Sequence, residues 1–453
     1  MRINSILELG EKRELVSKLS LEERINSFRE IELGYAEDQV RREASRCLQC
    51  EAPPCMEACP AHLNIKKYVF QAKEGHYREA LATILERLPM PATCGRVCPH
   101  PCEDACVRHT HFDPISIRGI KRFIADQFMD ADWYPKVETK RKEDIAVIGS
   151  GPASLTVARN LALLGYQVKV FDPSPDLGGM PAQCIPDYRL PPQFPRKEVG
   201  EIKKLGVKFE PGMLGKDFTL DSLFEKGFKA IFIGTGTHRG VKMNIPGENL
   251  EGVFEALDLL KDIKSGKLMI SLEGKRVIVV GGGNVAMDAA RSLRRLGADV
   301  TVVYRRSWDE MPADKAEVEG AKEEGVNFNI LTNPTRVLGD GRVKEVSCIR
   351  MELGEPDASG RRRPVPIEGS EFTIPVDFFV EAVGEIAESD MFRSMGLELS
   401  PRGLIKVDEN MKTSVEGVFA AGDAVSGPRT VIEAVAGGLK AAESINEYLQ
   451  TQV

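Results

Sequence analysis

Ile145-Ala146-Val147-Ile148-Gly149-Ser150-Gly151-Pro152-Ala153-Ser154 is the stretch that decides the architecture. Four apolar residues run into a Gly-rich turn, the signature of a buried strand. A helical pattern follows to Leu164, and Gln167 to Phe171 reads as a second strand. Strand, turn, helix and strand in this order are the context that a dinucleotide fingerprint requires. Gly149 permits the tight turn, and Gly151, followed by Pro152, lets the backbone approach a pyrophosphate. Ser154 stands where a third glycine is usual. Asp172 ends the second strand, 23 positions after Gly149, placed to accept hydrogen bonds from ribose hydroxyls. Leu177-Gly178-Gly179 then offers a second flexible turn.

The same unit recurs from Arg276 to Arg305, with Gly281-Gly282-Gly283-Asn284-Val285-Ala286 as its turn. At the matching distance of 23 positions after Gly281 stands Tyr304, followed by Arg305 and Arg306. An acid there repels a 2′-phosphate, whereas guanidinium groups suit one. The first unit is therefore assigned to the adenosine of FAD and the second to NADP(H). Gly417-Val418-Phe419-Ala420-Ala421-Gly422-Asp423 reads as a buried strand ending in a turn. Asp423 is expected at the ribityl chain of FAD, and the helix opening near Thr430 is expected to aim its positive end at the flavin.

Bulk properties narrow the class. The chain has 453 residues, a formal net charge of −7, 42% hydrophobic and 28% charged residues. This is the composition of ordinary globular domains, and the acidic balance argues against nucleic acid as a partner. No run of about 18 apolar residues exists, so no membrane span is expected. Met1 to Leu19 is charged and lacks the apolar core of a signal peptide, so a cytoplasmic location with reduced thiols is expected.

Eight of the ten cysteines lie between Cys47 and Cys106. The blocks are Cys47-x2-Cys50-x4-Cys55-x3-Cys59-Pro60 and Cys94-x3-Cys98-Pro99-x2-Cys102-x3-Cys106. In Cys-rich runs that hold two [4Fe–4S] clusters, the last cysteine of a run ligates the other cluster. By that logic Cys47, Cys50, Cys55 and Cys106 hold one cluster. Cys59, Cys98 and Cys102 hold the second, with Cys94 as the simplest fourth ligand and a non-cysteine side chain as the alternative. Two four-cysteine zinc sites would use the same eight thiolates, and a disulfide set is disfavoured by a reducing compartment. Flavin and nicotinamide signals in the same chain favour clusters, because zinc cannot accept an electron.

The fold class expected is α/β: an N-terminal α-helical iron–sulfur domain (1–140), then two Rossmann-like domains. FAD-binding segments at 141–250 and 375–453 would enclose an inserted NADP(H) domain at 251–374. The segment from Ser20-Leu21-Glu22-Glu23 to Arg46 reads as helical, the cysteines as lying in short loops, and Lys136 to Asp144 as a linker.

Several segments together resemble a known family: Arg46-Cys47-Leu48-Gln49-Cys50, Cys94-Gly95-Arg96-Val97-Cys98-Pro99, Val280-Gly281-Gly282-Gly283-Asn284, and Tyr304-Arg305-Arg306 with Glu310-Met311-Pro312-Ala313. Ile185-Pro186-Asp187-Tyr188-Arg189-Leu190-Pro191 looks like that family's loop near the flavin. The resemblance is to the small (β) subunit of NADPH-dependent glutamate synthase. It extends to the electron-input half of dihydropyrimidine dehydrogenase and the large subunit of NADH-dependent ferredoxin:NADP oxidoreductase. It implies a glutathione-reductase-like arrangement of the two Rossmann domains. It implies FAD contacts at Gly149, Gly151, Asp172, Gly179, Gly422 and Asp423, and NADPH contacts at Gly283, Asn284, Arg305 and Arg306. Arg189 is implied near the isoalloxazine. In some relatives a residue aligned with Lys121 completes the second cluster; a protonated lysine is a poor ligand, which supports Cys94. Cys184 stands where the family often has glycine, and reads as a small buried side chain or a redox-sensitive thiol.

The activity implied is oxidoreduction, with electrons passing from NADPH through FAD to the clusters. No general acid or base is nominated, because hydride transfer needs none. The clusters require an outside acceptor, so a larger catalytic or electron-accepting subunit, in a hetero-oligomer, is expected. The alternatives are a subunit of an electron-bifurcating NAD(P)H:ferredoxin transhydrogenase, an electron-input subunit of a dihydropyrimidine dehydrogenase-like enzyme, and a zinc-stabilised nucleotide-sensing scaffold.

Overall fold

A computed structural model describes residues 11–134, 136–137, 141–268, 271–357 and 359–451. Part of the expected linker and the first ten residues of the chain lie outside the described residues.

The N-terminal region is built of short helices: α1 (Leu21–Ile25), α2 (Glu37–Ser45), α3 (Pro54–Glu57), α4 (Ile65–Glu74), α5 (Tyr77–Leu85), α6 (Pro91–Val97), α7 (Pro101–Asp104) and α8 (Ile117–Asp126). The expected capping box at Ser20 and Glu23 forms. The continuous helix expected to Arg46 does not. Residues 26–36 run without helix, because Leu19, Ile31 and Leu33 spend their amides on distant carbonyls and Gly34 turns at a φ of 79°. The cysteines are not all in loops either: Cys55, Cys94 and Cys102 lie within α3, α6 and α7. Helices this short are held by packing rather than propensity.

Two parallel sheets follow. The strands in chain order are β1 (Asp144–Ile148), β2 (Gln167–Asp172), β3 (Lys208–Pro211), β4 (Ala230–Ile233), β5 (Arg239–Gly240), β6 (Val253–Glu255), β7 (Arg276–Val280), β8 (Asp299–Tyr304), β9 (Asn327–Ile330), β10 (Thr332–Asp340), β11 (Arg342–Pro356), β12 (Arg362–Pro366), β13 (Phe372–Pro375), β14 (Phe378–Glu381), β15 (Glu385–Ile386) and β16 (Val418–Ala420). The first sheet has the order β16-β4-β1-β2-β3 and the second β6-β14-β7-β8-β9. Each carries its Gly-rich turn at the C-terminal end of its central strand, β1 or β7, where open α/β sheets bind ligands. The helices opened by these turns are α9 (Pro152–Leu163) and, after α10 (Gln193–Lys204), α11 (Asn284–Arg295). α12 (Lys315–Glu323) and the closing α13 (Val431–Thr451) complete the helices used below.

The two sheets are joined by an antiparallel pair, Glu385 with Gly240 and Ile386 with Arg239. The inserted domain therefore runs between these connectors. The boundaries read from sequence, at 250 and 374, fall short of them. Phe378 to Glu381 was assigned to the FAD domain, yet it pairs in parallel with β6 and β7 inside the second sheet. Its continuous apolar run suits either sheet, and only the pairing decides.

One core joins the helical region to the first sheet. Leu190, Phe194, Ile432, Val435 and Leu439 are buried together with Val69, Ile84, Cys94 and Ile124. Glu198 of α10 is buried and accepts hydrogen bonds from the Thr93 amide (2.9 Å) and from the Thr93 hydroxyl at the start of α6. Burial pushes its carboxyl up to about 7. The helix that bears Cys94 is thus seated directly on the flavin-type domain.

Candidate dinucleotide and iron–sulfur sites

A single cavity of about 2090 Å³, counted to its open mouth, lies between the two sheets. Gly149, Gly151, Pro152, Asp172, Gly179, Arg189, Asn284, Gly422, Asp423 and Thr430 all line it. Gly178 sits just behind, donating its amide to Ser150 Oγ at 3.1 Å.

The first turn fits a pyrophosphate cradle. Gly149 adopts a φ of 90°, and a Cβ there would sit 2.6 Å from the Gly234 carbonyl oxygen. A side chain would therefore both strain the turn and close the cradle. The Asp172 carboxylate accepts from the Ser150 amide (2.7 Å) and the Ser174 amide (2.8 Å), which fixes it at the edge of the cavity. Ser154 is accommodated by a partner change that the fingerprint alone does not reveal. Its hydroxyl donates to the Gly234 carbonyl at 3.3 Å, and a Cβ on Gly234 would lie 2.2 Å from Ser154 Oγ. The missing third glycine is supplied by glycine on the facing strand end. Gly234→Ala is expected to destabilise the protein by about 1–3 kcal/mol and to lower bound FAD. Adding Ser154→Gly should restore part of both, the Phe232 ring 2.8 Å from the new Cβ remaining in place, read by thermal melting and flavin content.

On the far wall, Asp423 is largely buried, accepts from the Arg429 amide (3.2 Å), and is pushed up to about 7 by burial and by nearby Glu385. A carboxyl in this state is poised to pair with polyol hydroxyls. Thr430 caps α13: its hydroxyl accepts from the Glu433 amide (3.3 Å), and the Glu433 carboxylate accepts from both the Thr430 amide (3.0 Å) and hydroxyl (2.7 Å). The helix end faces the cavity through Thr430, Val431 and Ala434. Cys184 lines the cavity but is 3% exposed, and burial pushes its thiol up to about 12, the behaviour of an inert packed side chain.

Arg189 is engaged. Its Nη1 lies 2.8 Å from both Asp288 oxygens, and its Nε 3.0 Å from Glu317 Oε1. It bridges the flavin-side loop to α11 and α12 of the inserted domain. Neighbouring Tyr188 accepts from the Ile31 amide through its carbonyl (3.0 Å), while the Arg295 guanidinium covers its ring at 3.8 Å. The loop thus touches all three regions.

In the second unit, Asn284 Oδ1 accepts from the Asp314 amide at 2.9 Å, and the Ala313 amide donates to Gly282 at 3.0 Å. The segment after Arg306 therefore folds back over the Gly281–Gly283 turn. The Tyr304 ring packs against Gly282, where a Cβ would approach it to 2.6 Å. Arg305 is exposed; Arg306 is buried and hydrogen-bonded to Asp357 (2.6 Å).

The eight clustered cysteines differ in burial. Cys47, Cys50, Cys55 and Cys106 line one apolar cavity, all half-buried. Cys59, Cys94, Cys98 and Cys102 are all buried. Among the described residues, neither set closes on the position of one shared ion. Burial pushes the Cys55 thiol up to about 12 and raises Cys47, Cys94 and Cys102. Loading must therefore displace protons. Lys121 of α8 is buried against the second set. Burial alone would lower its ammonium, but Cys98, Cys94, Cys102 and Cys59 outweigh this and raise it. A lysine held charged beside four cysteines is a counter-charge rather than a ligand, which fits Cys94 as the fourth thiolate. The sequence did not reveal that Val97 and Pro99, on either side of Cys98, line the dinucleotide cavity.

Comparisons with known proteins identify the two parts of the chain. The pyridine nucleotide-disulphide oxidoreductase family model matches residues 143–438, and the model for dihydropyrimidine dehydrogenase domain II, 4Fe-4S cluster, matches residues 24–133. The chain is 44% identical over 426 residues to the NADP(+)-dependent formate dehydrogenase subunit beta of Moorella thermoacetica, covering 88% of this chain and 60% of that one. It therefore spans well under two thirds of that relative's length. It is 36% identical to the glutamate synthase [NADPH] small chain of Halomonas elongata, with 94% of each chain covered. Among solved structures, Mycobacterium tuberculosis FprA in complex with NADPH superposes with a TM-score of 0.59 at 20% identity, over 69% of this chain and 85% of that one, a likeness of fold. FAD, NADP(H) and 4Fe–4S clusters are the cofactors that these domains carry. Among the described residues no helix is long and apolar enough to cross a membrane. This chain belongs to the pyridine nucleotide-disulphide oxidoreductases, in the group with an N-terminal 4Fe–4S domain that includes the small chain of NADPH-dependent glutamate synthase.

Proposed function

We propose that the chain is an electron-entry subunit that takes electrons from NADPH and delivers them, one at a time, to a larger partner protein. The supporting observation is the cavity that the first Gly-rich turn and Asn284-Val285 of the second unit share with Val97 and Pro99, so that Cys98 adjoins the flavin-type site. When bound, FAD supplies the change from two-electron hydride acceptance to single-electron release, and the clusters supply one-electron carriage.

The chain's own residues hold and orient these groups. Gly149, Gly151, Pro152, Gly178 and Gly179 cradle the FAD pyrophosphate, Asp172 takes its ribose, and Asp423 with the α13 end at Thr430 takes the ribityl and ring side. Gly281, Gly283 and Asn284 receive the nicotinamide dinucleotide, with its 2′-phosphate toward Tyr304-Arg305-Arg306. Cys59, Cys94, Cys98 and Cys102 form the inner cluster site, and Cys47, Cys50, Cys55 and Cys106 the outer one. The half-buried outer cysteines favour exit on that side.

The partner's chemistry is not written in this chain: its relatives are named for formate dehydrogenase and glutamate synthase alike. Size-exclusion of the complex from native cells is expected to show the chain migrating with a larger acceptor protein. A lone monomer with full NADPH-driven activity toward its natural acceptor would contradict this reading.

A further inference from the structure

The second Rossmann unit ends in a cluster of arginines drawn from two separate places in the chain. Arg305 and Arg306 follow β8, Arg361 precedes β12, and Arg362 opens it. The charge balance among the four is uneven. Arg306 is buried, with Nη2 2.6 Å from Asp357 Oδ2 and Nε donating to the Arg362 carbonyl at 2.8 Å. Arg362 Nε lies 2.6 Å from Glu310 Oε1. These two cations are matched by Asp357 and Glu310.

Arg305 and Arg361 are not matched. Arg305 is exposed and makes no ion pair among the described residues. Arg361 donates its Nε to Ser359 Oγ at 3.1 Å, and among the described residues its two terminal nitrogens have no partner. Partial burial, with Arg306 and then Arg361 nearby, lowers the Arg305 guanidinium. The contact of Arg306 Nε with the Arg362 carbonyl (2.8 Å) brings the two chain segments together, so two cations without an ion pair among the described residues lie at the end of β8, just past Tyr304. A phosphomonoester carries about −1.5 to −2 charge at neutral pH and matches this excess.

We propose that Arg361 is the second arm of the 2′-phosphate site, closing on the phosphate opposite Arg305, and that Arg306 is a positioning residue. This rests on reading the second unit as the NADP(H) site. Arg306 acts through Asp357, which also accepts from the Ser359 amide (2.8 Å) and donates its own amide to the Arg361 carbonyl (2.8 Å). The pair fixes the turn that carries Arg361. Specificity for the phosphate is thus set by a β-hairpin more than fifty residues beyond the fingerprint strand.

The test is calorimetric binding of 2′,5′-ADP and of 5′-ADP to the holoprotein, without turnover. Arg361→Ala is expected to weaken 2′,5′-ADP by about tenfold or more, the lower end of what a hydrogen bond to a charged group supports. Affinity for 5′-ADP, which lacks the 2′-phosphate, should change by about twofold or less, as for a surface charge that touches nothing. Arg361→Lys should recover part of the loss, because lysine keeps the charge without the fork. Arg305→Ala provides the separation. If Arg305→Ala weakens 2′,5′-ADP and Arg361→Ala does not, the hairpin proposal is overturned while the NADP(H) reading stands. If the unsubstituted protein binds the two nucleotides equally, the NADP(H) reading fails and the proposal with it.

Discussion

Cys98→Ser will leave NADPH able to bleach the flavin absorption but will cut electron delivery to an outside acceptor by at least the ~10–100-fold that follows smaller changes around metal sites. Cys98 ends α6, is 4% exposed, and is flanked by Val97 and Pro99, both of which line the dinucleotide cavity. The buried cysteine set is therefore the one that adjoins that cavity, through Val97 and Pro99. Serine preserves the side chain's size and removes the soft thiolate that iron prefers. Iron should fall from about eight to about four atoms per chain, with one of two reduced-cluster signals lost by electron paramagnetic resonance. Cys98→Ala guards against serine acting as a weak ligand. Unchanged signals and an unchanged rate in both variants would sink the assignment of Cys98 to the inner site.

The second large effect is expected at Arg189. Arg189→Met removes a buried cation whose guanidinium holds Asp288 by two contacts of 2.8 Å and Glu317 by one of 3.0 Å. Breaking one partner out of a buried ionic network costs about 3–5 kcal/mol, because Asp288 stays buried without its ion pair, while Glu317 keeps Arg291. Melting should fall by several degrees or more. Asp288→Asn in the same chain should return part of the loss, since the double variant no longer buries that carboxylate alone. The resemblance implied Arg189 beside the isoalloxazine. Its place on the cavity wall agrees with that neighbourhood, but its ion pairs give it a bracing role between the two Rossmann domains. A shifted flavin potential with unchanged melting would favour a direct electronic role instead.

Local patterns made most of the architecture legible. The fingerprint at Gly149 and its counterpart at Gly281 both sit between a buried strand and a helix, as their spacing required. Cys47, Cys50, Cys55 and Cys106 line one cavity, and the tight spacing of the first three keeps them near one another. What failed to show was anything set by contacts between distant segments. Residues 26–36 have helix-forming composition but pair their backbone with other loops, at Ser17, Leu19 and Tyr188. The run at Phe378 is apolar on both faces, so its sheet is chosen by β6 and β7 rather than by its own residues. Ser154 looked like a defect until Gly234 stood opposite it. Arg305 and Arg306 looked equivalent as neighbours, but the strand end turns one outward and buries the other against Asp357. The burial of Lys121 among four cysteines likewise depends on α8 packing against α6.

The most direct measurement is an anaerobic titration of the purified holoprotein with NADPH, followed together by visible absorption and electron paramagnetic resonance. The expected result is loss of flavin absorption accompanied by the signals of two reduced [4Fe–4S] clusters, with NADH far less effective at equal concentration. Flavin bleaching with no cluster signal at any NADPH level, and zinc in place of iron, would contradict an electron-entry role for this chain.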